Sequence, residues 1–228
     1  MLLRALPLLV LAALPADAQD PLAPAGVPAT KMLVPGKALV SDDLAAPLGK
    51  EWKVAKGKWE VSGGAVRVAE LPADMHGAVA RRDVALRSAV IEYGFKLDGA
   101  KVTTLSVNGP KGHVCRVLVR PTGLTVQKDD QDGKKGDDKA VPLATVTTPV
   151  TAGEWHTLVV ELRGADLLAT LDGRHTAFGS HPAIDAARTN LGLTVAGESA
   201  SFRRLRVWEA EAVRPDWEST RAGLGKKN

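Results

Sequence analysis

The sequence predicts an all-β protein, a β-sandwich (jelly roll) of two antiparallel sheets, on three observations. First, residues 88–97 alternate, with Ile91, Tyr93, Phe95 and Leu97 on one face and Glu92, Gly94 and Lys96 on the other. Residues 156–163 do the same, setting His156, Leu158, Val160 and Leu162 against Thr157, Val159, Glu161 and Arg163. Period-two alternation is the mark of a strand with one buried face. Second, Gly, Asp, Asn and Pro punctuate the chain every 8–12 residues, the spacing of sandwiches and barrels. Third, no window of a dozen residues carries a convincing 3.6-residue period, apart from weak hints at 182–188 and in the tail.

The chain has 228 residues, of which 45% are hydrophobic and 25% charged, values that suit one ordinary globular domain. A single cysteine, Cys115, excludes an intramolecular disulfide framework and a Cys-based zinc site. The 22 glycines and 14 prolines fit a fold with many turns.

Residues 1–18 have the form of a signal peptide. Arg4 supplies positive charge, residues 6–14 an apolar run, and Ala16-Asp17-Ala18 the small-x-small pattern that places cleavage before Gln19. The run is shorter than the ~20 residues that span a bilayer, and Pro7 and Pro15 disfavour a buried helix. No cysteine follows it to carry a lipid, so the expected location is secreted or periplasmic, with no membrane-spanning segment. Residues 19–36 hold Pro21, Pro24, Pro28 and Pro35 among small residues and read as an extended linker. The sandwich is expected over residues 37–210, and residues 211–228 form a charged tail in which Trp217 reads as an anchor onto the domain.

Within the domain, Ser62-Gly63-Gly64 turns a hairpin between residues 59–61 and 65–68. Strands follow at residues 102–108, 113–120 and 124–128. A second block runs from Trp155 through residues 167–171 to Asp172-Gly173, the strongest hairpin turn in the chain, and closes with residues 191–195 and 201–208. Trp59 and Trp155 are expected between the two layers. Residues 128–139 interrupt the pattern with dense charge. Asp130, Asp132 and Gly133 echo part of a calcium loop, but Lys128 and Lys139 fall where the first and last ligands belong, so a solvated hairpin loop fits better.

The stretch Gly153-Glu154-Trp155-His156-Thr157-Leu158, with Leu171-Asp172-Gly173 and Phe202-Arg203-Arg204-Leu205-Arg206-Val207-Trp208, resembles the closing half of concanavalin A-like sandwich domains. Among them it is most similar to the secreted bacterial 3-keto-disaccharide hydrolase-like family, related in fold to family 16 glucanases. The opening half agrees: Asp42-Asp43-Leu44, Trp52, Gly57-Lys58-Trp59-Glu60-Val61 and Gly63-Gly64-Ala65-Val66. The resemblance spans about residues 40–209 and implies a carbohydrate-active protein, acting on a glycosidic linkage or binding a glycan or disaccharide without cleaving it. It carries the fold and not the catalytic residues. The E-x-D-x-x-E string of the glucanases is absent, and the family's Asn-Ser-Gly-Ile segment corresponds to Leu105-Ser106-Val107-Asn108-Gly109-Pro110.

Glycoside hydrolysis uses two carboxylates about 5–9.5 Å apart, and the strand carboxylates available are Glu92 and Glu161. Whether they share a face depends on register. A four-residue turn at 98–101 sets Glu92 opposite Val107, and one residue more or fewer sets it opposite Ser106. The plainer role of a strand glutamate is a solvated face. Glu92 is the stronger candidate because it is expected beside the polar strand of Thr104, Ser106 and Asn108. Ser106, Asn108, His113 and Arg116 are candidate sugar-binding residues, although His113 and Arg116 differ in parity and would face opposite ways on a regular strand. His175 and His181 lack the company of a metal cluster, and neither a metal nor a cofactor is implied.

The formal net charge is +4, and Arg81-Arg82 with Arg203, Arg204 and Arg206 could form a basic patch. No nucleic-acid motif accompanies it and aromatics are only 4%, so nucleic acid is not an expected partner. For an exported protein an acidic polysaccharide suits that charge better.

Overall fold

The computed structural model describes residues 26–131 and 138–224, so the signal-peptide segment and the first part of the linker, residues 19–25, lie outside the described residues. In chain order the strands are β1 (Leu33–Asp42), β2 (Trp52–Lys56), β3 (Lys58–Ser62), β4 (Ala65–Ala69) and β5 (Ala78–Asp83). They continue as β6 (Ser88–Leu97), β7 (Ala100–Gly109), β8 (Gly112–Arg120), β9 (Gly123–Lys128) and β10 (Val141–Thr147). The last are β11 (His156–Arg163), β12 (Asp166–Leu171), β13 (His175–Ser180), β14 (Asn190–Gly197) and β15 (Ser199–Val213), followed by a helix α1 (Trp217–Leu224).

Two antiparallel sheets result. One runs β13-β12-β11-β6-β15-β4-β3, with β1 on the later half of β15, and the other runs β10-β9-β8-β7-β14-β5-β2. The apolar faces read from the alternation meet between them: Ile91, Tyr93, Phe95, Leu158 and Val160 from the first sheet, Leu105, Val107, Val117 and Leu193 from the second. Both expected hairpin turns form. Gly63 and Gly64 have φ of 60° and 73°, and Asp172 and Gly173 have 50° and 68°, the positive values that a two-residue turn between twisted strands requires.

Three expectations need correction. β6 and β7 do not pair, because the chain crosses at Asp98-Gly99 from one sheet to the other. Asp98 is held there by Ser199 Oγ on its carbonyl (2.7 Å) and Ser201 Oγ on its carboxylate (2.7 Å). Trp155 stands outside the inter-sheet core, half-buried with the Arg203 guanidinium 3.9 Å from its ring centre; His156 fills the inward position and stacks on Phe95 at 5.5 Å. Trp59 does pack against the core, half-buried and stacked on Phe202 at 6.4 Å. Lastly, Pro28, Met32 and Leu33 in the end of the expected linker are buried, and β1 begins at Leu33.

Those residues join a second apolar cluster on the outer face of the eight-stranded sheet, with Val90, Val159, Leu168, Trp208 and Trp217. Trp217 is 1% exposed and opens α1, so the tail docks through the anchor its sequence suggested. The N-terminal segment and α1 therefore cover much of that face. The outer face of the seven-stranded sheet has no such cover from them.

The Asp172 turn also carries a pH-sensitive contact. Its carboxylate accepts from His156 Nδ1 (2.8 Å) and from the Thr157 N–H (2.8 Å), while His156 Nε2 donates to the Thr151 carbonyl (3.1 Å). The Asp172 hydrogen bond outweighs burial and holds the imidazole above its ordinary pKa. A raised folded value means that the contribution is full below about pH 6.5 and fades as pH rises through the folded pKa. Asp172→Asn keeps a residue tolerant of positive φ and removes the charge. We expect it to cost about 1.5–3 kcal/mol at pH 6, a charge-assisted hydrogen bond, and less at pH 8.5; urea unfolding at the two pH values measures this.

Candidate functional site

The polar outer face of the seven-stranded sheet is built by alternation. Along β7, Leu105 and Val107 point into the core and Thr104, Ser106 and Asn108 point out; along β14, Leu191, Leu193 and Val195 point in and Asn190, Gly192 and Thr194 point out. On β8 the alternation breaks. Cys115 pairs with Val107 and His113 with Asn108, so Val114 and Cys115 together oppose one residue of β7, and both are buried. This bulge carries one residue without changing face, and it returns His113 to the face of Arg116. The expectation that the two point apart fails for that reason.

Ser106, Asn108, His113 and Arg116 thus meet on one face. His113 Nδ1 donates to Asn108 Oδ1 (2.5 Å), and Asn108 Nδ2 donates to Asn190 Oδ1 (2.7 Å) and to Ser106 Oγ (3.4 Å). An amide oxygen only accepts, so this contact places the proton on Nδ1 and leaves Nε2 as the acceptor of a neutral ring. Burial, then the charge of Arg116, pushes the His113 pKa down and keeps the ring neutral. Arg116 Nε lies 2.5 Å from the carboxylate of Asp129, which is itself buried and anchored by its N–H on the Val114 carbonyl (3.0 Å). Lys128 is buried too, its ammonium on Asp138 and the Lys139 carbonyl, so the base of the charged loop is packed. The segment with the calcium-like Asp132 and Gly133 lies outside the described residues.

A small cleft opens here. Thr104, Ser106 and Thr194 form its floor, and Arg81, Arg116, His113 and His76 stand around it. Its volume is about 110 Å³, against the roughly 300–1,000 Å³ of pockets that bury a whole small ligand, so it can seat part of an extended ligand. None of the residues lining it is a carboxylate.

Glu92 and Glu161 lie on the other side of the sandwich. Glu92 pairs with Val159 and Glu161 with Val90, so the two share the outer face of the eight-stranded sheet as diagonal neighbours. They are not beside Ser106, because β6 and β7 belong to different sheets. Glu161 is 0% exposed and spends its carboxylate on the N–H groups of Lys31 (2.8 Å), Met32 (2.8 Å) and Leu33 (2.7 Å). Glu92 is half-buried in a cleft with Ser41, Asp43 and Trp208, and burial raises its pKa against the pull of Arg206 and Arg204. The basic patch also divides. Arg81 stands at the cleft, Arg82 turns to Asp42 (3.1 Å), and Arg203, Arg204 and Arg206 line the cleft of Glu92.

No family model matches the chain, and no curated protein matches it. Solved structures do. The carbohydrate-binding module CBM66 from Bacillus subtilis is 15% identical, with 70% of this chain and 96% of that one covered at a TM-score of 0.56. The catalytic domain of an endo-1,3-beta-glucanase (laminarinase) from Thermotoga petrophila is 13% identical, covering 78% and 100% at 0.53. The Bacillus licheniformis beta-glucanase is 9% identical, covering 76% and 99% at 0.55. This chain has the concanavalin A-like sandwich fold. At these identities the likeness concerns the fold, which hosts both binding modules and hydrolases. No helix among the described residues is long and apolar enough to cross a membrane.

Sequence reasoning missed Gly192, Thr194, His76 and Asp129. The signal for the first two was present: residues 190–195 alternate between Asn190, Gly192, Thr194 and Leu191, Leu193, Val195. Nothing local marks His76 or Asp129, which reach the site only through tertiary packing.

Proposed function

We propose that this protein is exported and binds carbohydrate on the outer face of its seven-stranded sheet without cleaving it. One observation carries the reading: Ser106, His113 and Arg116 line a cleft with hydrogen-bonding groups and no carboxylate, and Asn108 beside it is bonded to Ser106 and His113. Sugar hydroxyls suit such a lining, since each can give and take a hydrogen bond. Hydrolysis needs two carboxylates across the scissile bond, and here Glu161 is sealed and Glu92 is on the opposite outer face. The resemblance to 3-keto-disaccharide hydrolase-like proteins rests on the sequence motifs around Trp59, Trp155 and Trp208, which are marks of the fold.

A second reading rests on Glu92, a carboxylate with a raised pKa in a cleft, the environment of a general acid. A glycan array followed by product analysis separates the two. The expected result is retention without product release, with affinity reduced about tenfold in His113→Ala, the worth of one hydrogen bond, and unchanged in Glu92→Gln. Product release that disappears in Glu92→Gln would assign the chemistry to the other face. No retained glycan would end the binding reading.

A further inference from the structure

We propose that the cleft on the seven-stranded sheet selects acidic glycans, holding a carboxylate or sulfate substituent between Arg81 and Arg116. The inference rests on the carbohydrate-binding reading above and narrows it to a ligand class.

The register places the two arginines in one row. Arg81 pairs with Gly192, Gly192 with Ser106, and Ser106 with Arg116. Three strand spacings of ~4.8 Å set their backbones roughly 14 Å apart. The two residues between them are small, and the smallness is required. A Cβ on residue 192 would lie 2.6 Å from Ser106 Oγ and 3.4 Å from Arg81 Cγ, so the Arg81 side chain leans over a glycine. The result is a saddle with a guanidinium at each end and hydroxyls along its floor.

The charge of this saddle is cancelled only in part, since Asp129 offsets Arg116 and no carboxylate among the described residues offsets Arg81. Arg81 is exposed, while Arg116 meets Asp129 through Nε and leaves its two Nη groups to face the cleft. Burial is the main cause of the lowered His113 pKa; Arg116 and Arg81 add to it, while Asp129 and Asp130 oppose it. A planar fork of N–H donors matches a carboxylate or sulfate better than a neutral hydroxyl.

The face also lacks the usual means of holding a neutral ring. The chain has five Trp, one Tyr and three Phe, and every one is placed elsewhere. Trp52, Tyr93, Phe95 and Phe202 are in the inter-sheet core and Trp59 packs against it. Trp155 is under Arg203, and Phe178, Trp208 and Trp217 belong to the outer cluster of the other sheet. Without an aromatic floor, affinity on this face has to come from charge and hydrogen bonds.

The experiment compares immobilised polygalacturonate with the same polymer fully methyl-esterified, and dextran sulfate with dextran, using the intact chain. Binding to at least one acidic polymer is expected to be tenfold or more tighter than to its neutral counterpart, and the preferred pair tells carboxylate from sulfate. Arg81→Gln should lose at least tenfold on the acidic polymer, with an unchanged thermal midpoint because the residue is exposed. Lys37→Gln, an exposed charge on β1 of the other sheet, should lose little. Equal binding of neutral and acidic forms would overturn this inference and leave the carbohydrate reading standing. Equal losses in Arg81→Gln and Lys37→Gln would overturn it as well, by showing diffuse attraction. Absence of binding to all four polymers and to the wider array would remove the carbohydrate reading itself.

Discussion

Replacing Arg188 by alanine is expected to destabilise the fold by about 4 kcal/mol or more, among the largest effects a single side chain can have. Arg188 is 6% exposed and has no ion pair among the described residues. Instead its guanidinium donates to four carbonyls: Nε to Leu86 (2.8 Å), Nη1 to Gly164 (3.2 Å) and Ile184 (3.3 Å), and Nη2 to Arg87. Those oxygens come from three separate segments: the approach to β6, the β11–β12 turn, and the short helical turn at Pro182–Ile184. One planar group therefore fastens three connections at one end of the sandwich. Burial lowers its pKa, yet an arginine stays charged, and the carbonyl dipoles are what make the buried charge tolerable. Truncation leaves buried acceptors unpaired at about 1–3 kcal/mol each, with some relief from entering water. At roughly 2–4 °C per kcal/mol for a domain of this size, the thermal midpoint should fall by on the order of 10 °C. Arg188→Lys should recover less than half of that, because three donors on one nitrogen cannot serve carbonyls spread around a fork. A midpoint within about 2 °C of the parent in Arg188→Ala would show that the carbonyls find water at no penalty.

The sandwich was legible because its strands are amphipathic in the simplest way. The alternation at Ile91, Tyr93, Phe95 and Leu97 and at His156, Leu158, Val160 and Leu162 states which side is buried, and burial of that side is what joins the sheets. What alternation cannot state is which strand lies next to which. The face of Glu92 was readable but its neighbours were not, since the crossing at Asp98-Gly99 depends on Ser199 and Ser201, a hundred residues away. Trp155 misled for a related reason. A large aromatic at a strand entrance suggests core, yet parity gives the inward place to His156, and Trp155 is covered by Arg203 instead.

The candidate site was legible in its residues and not in its geometry. Ser106, Asn108, His113 and Arg116 are polar groups on neighbouring strands, and composition alone selects them. Bringing His113 to the side of Arg116 takes a bulge at Val114-Cys115, and both residues there are apolar, so no local pattern announces it. Arg188 had no signal at all. An arginine in Ala-Ala-Arg-Thr-Asn looks like surface until three distant carbonyls are seen around it.

Glu161→Ala should release the N-terminal segment, at a cost of about 3–5 kcal/mol, the usual penalty when one member of a buried charged network is removed. Three consecutive backbone N–H groups, those of Lys31, Met32 and Leu33, converge on the one carboxylate. Burial raises the pKa of Glu161 and the three donors oppose that rise. The alanine variant has two routes. It can keep Met32 and Leu33 in place and bury three unpaired donors, or it can let the segment peel away and give up the apolar contacts of Met32 and Leu33 with Trp208 and Trp217. The second should win, since unpaired donors at about 1–3 kcal/mol each exceed what one methionine and one leucine return at about 1.5–3 kcal/mol apiece once ordering entropy is counted. Hydrogen exchange would then be fast across residues 27–35 and in α1, while β6 and β7 stay protected. Glu161→Gln keeps one acceptor oxygen but sets its NH₂ against a backbone donor, so it should sit between parent and alanine. Unchanged protection at Met32 and Leu33 in Glu161→Ala would mean that packing alone fixes the segment. It would also reopen the outer face of the eight-stranded sheet as a surface on which Glu161 is dispensable.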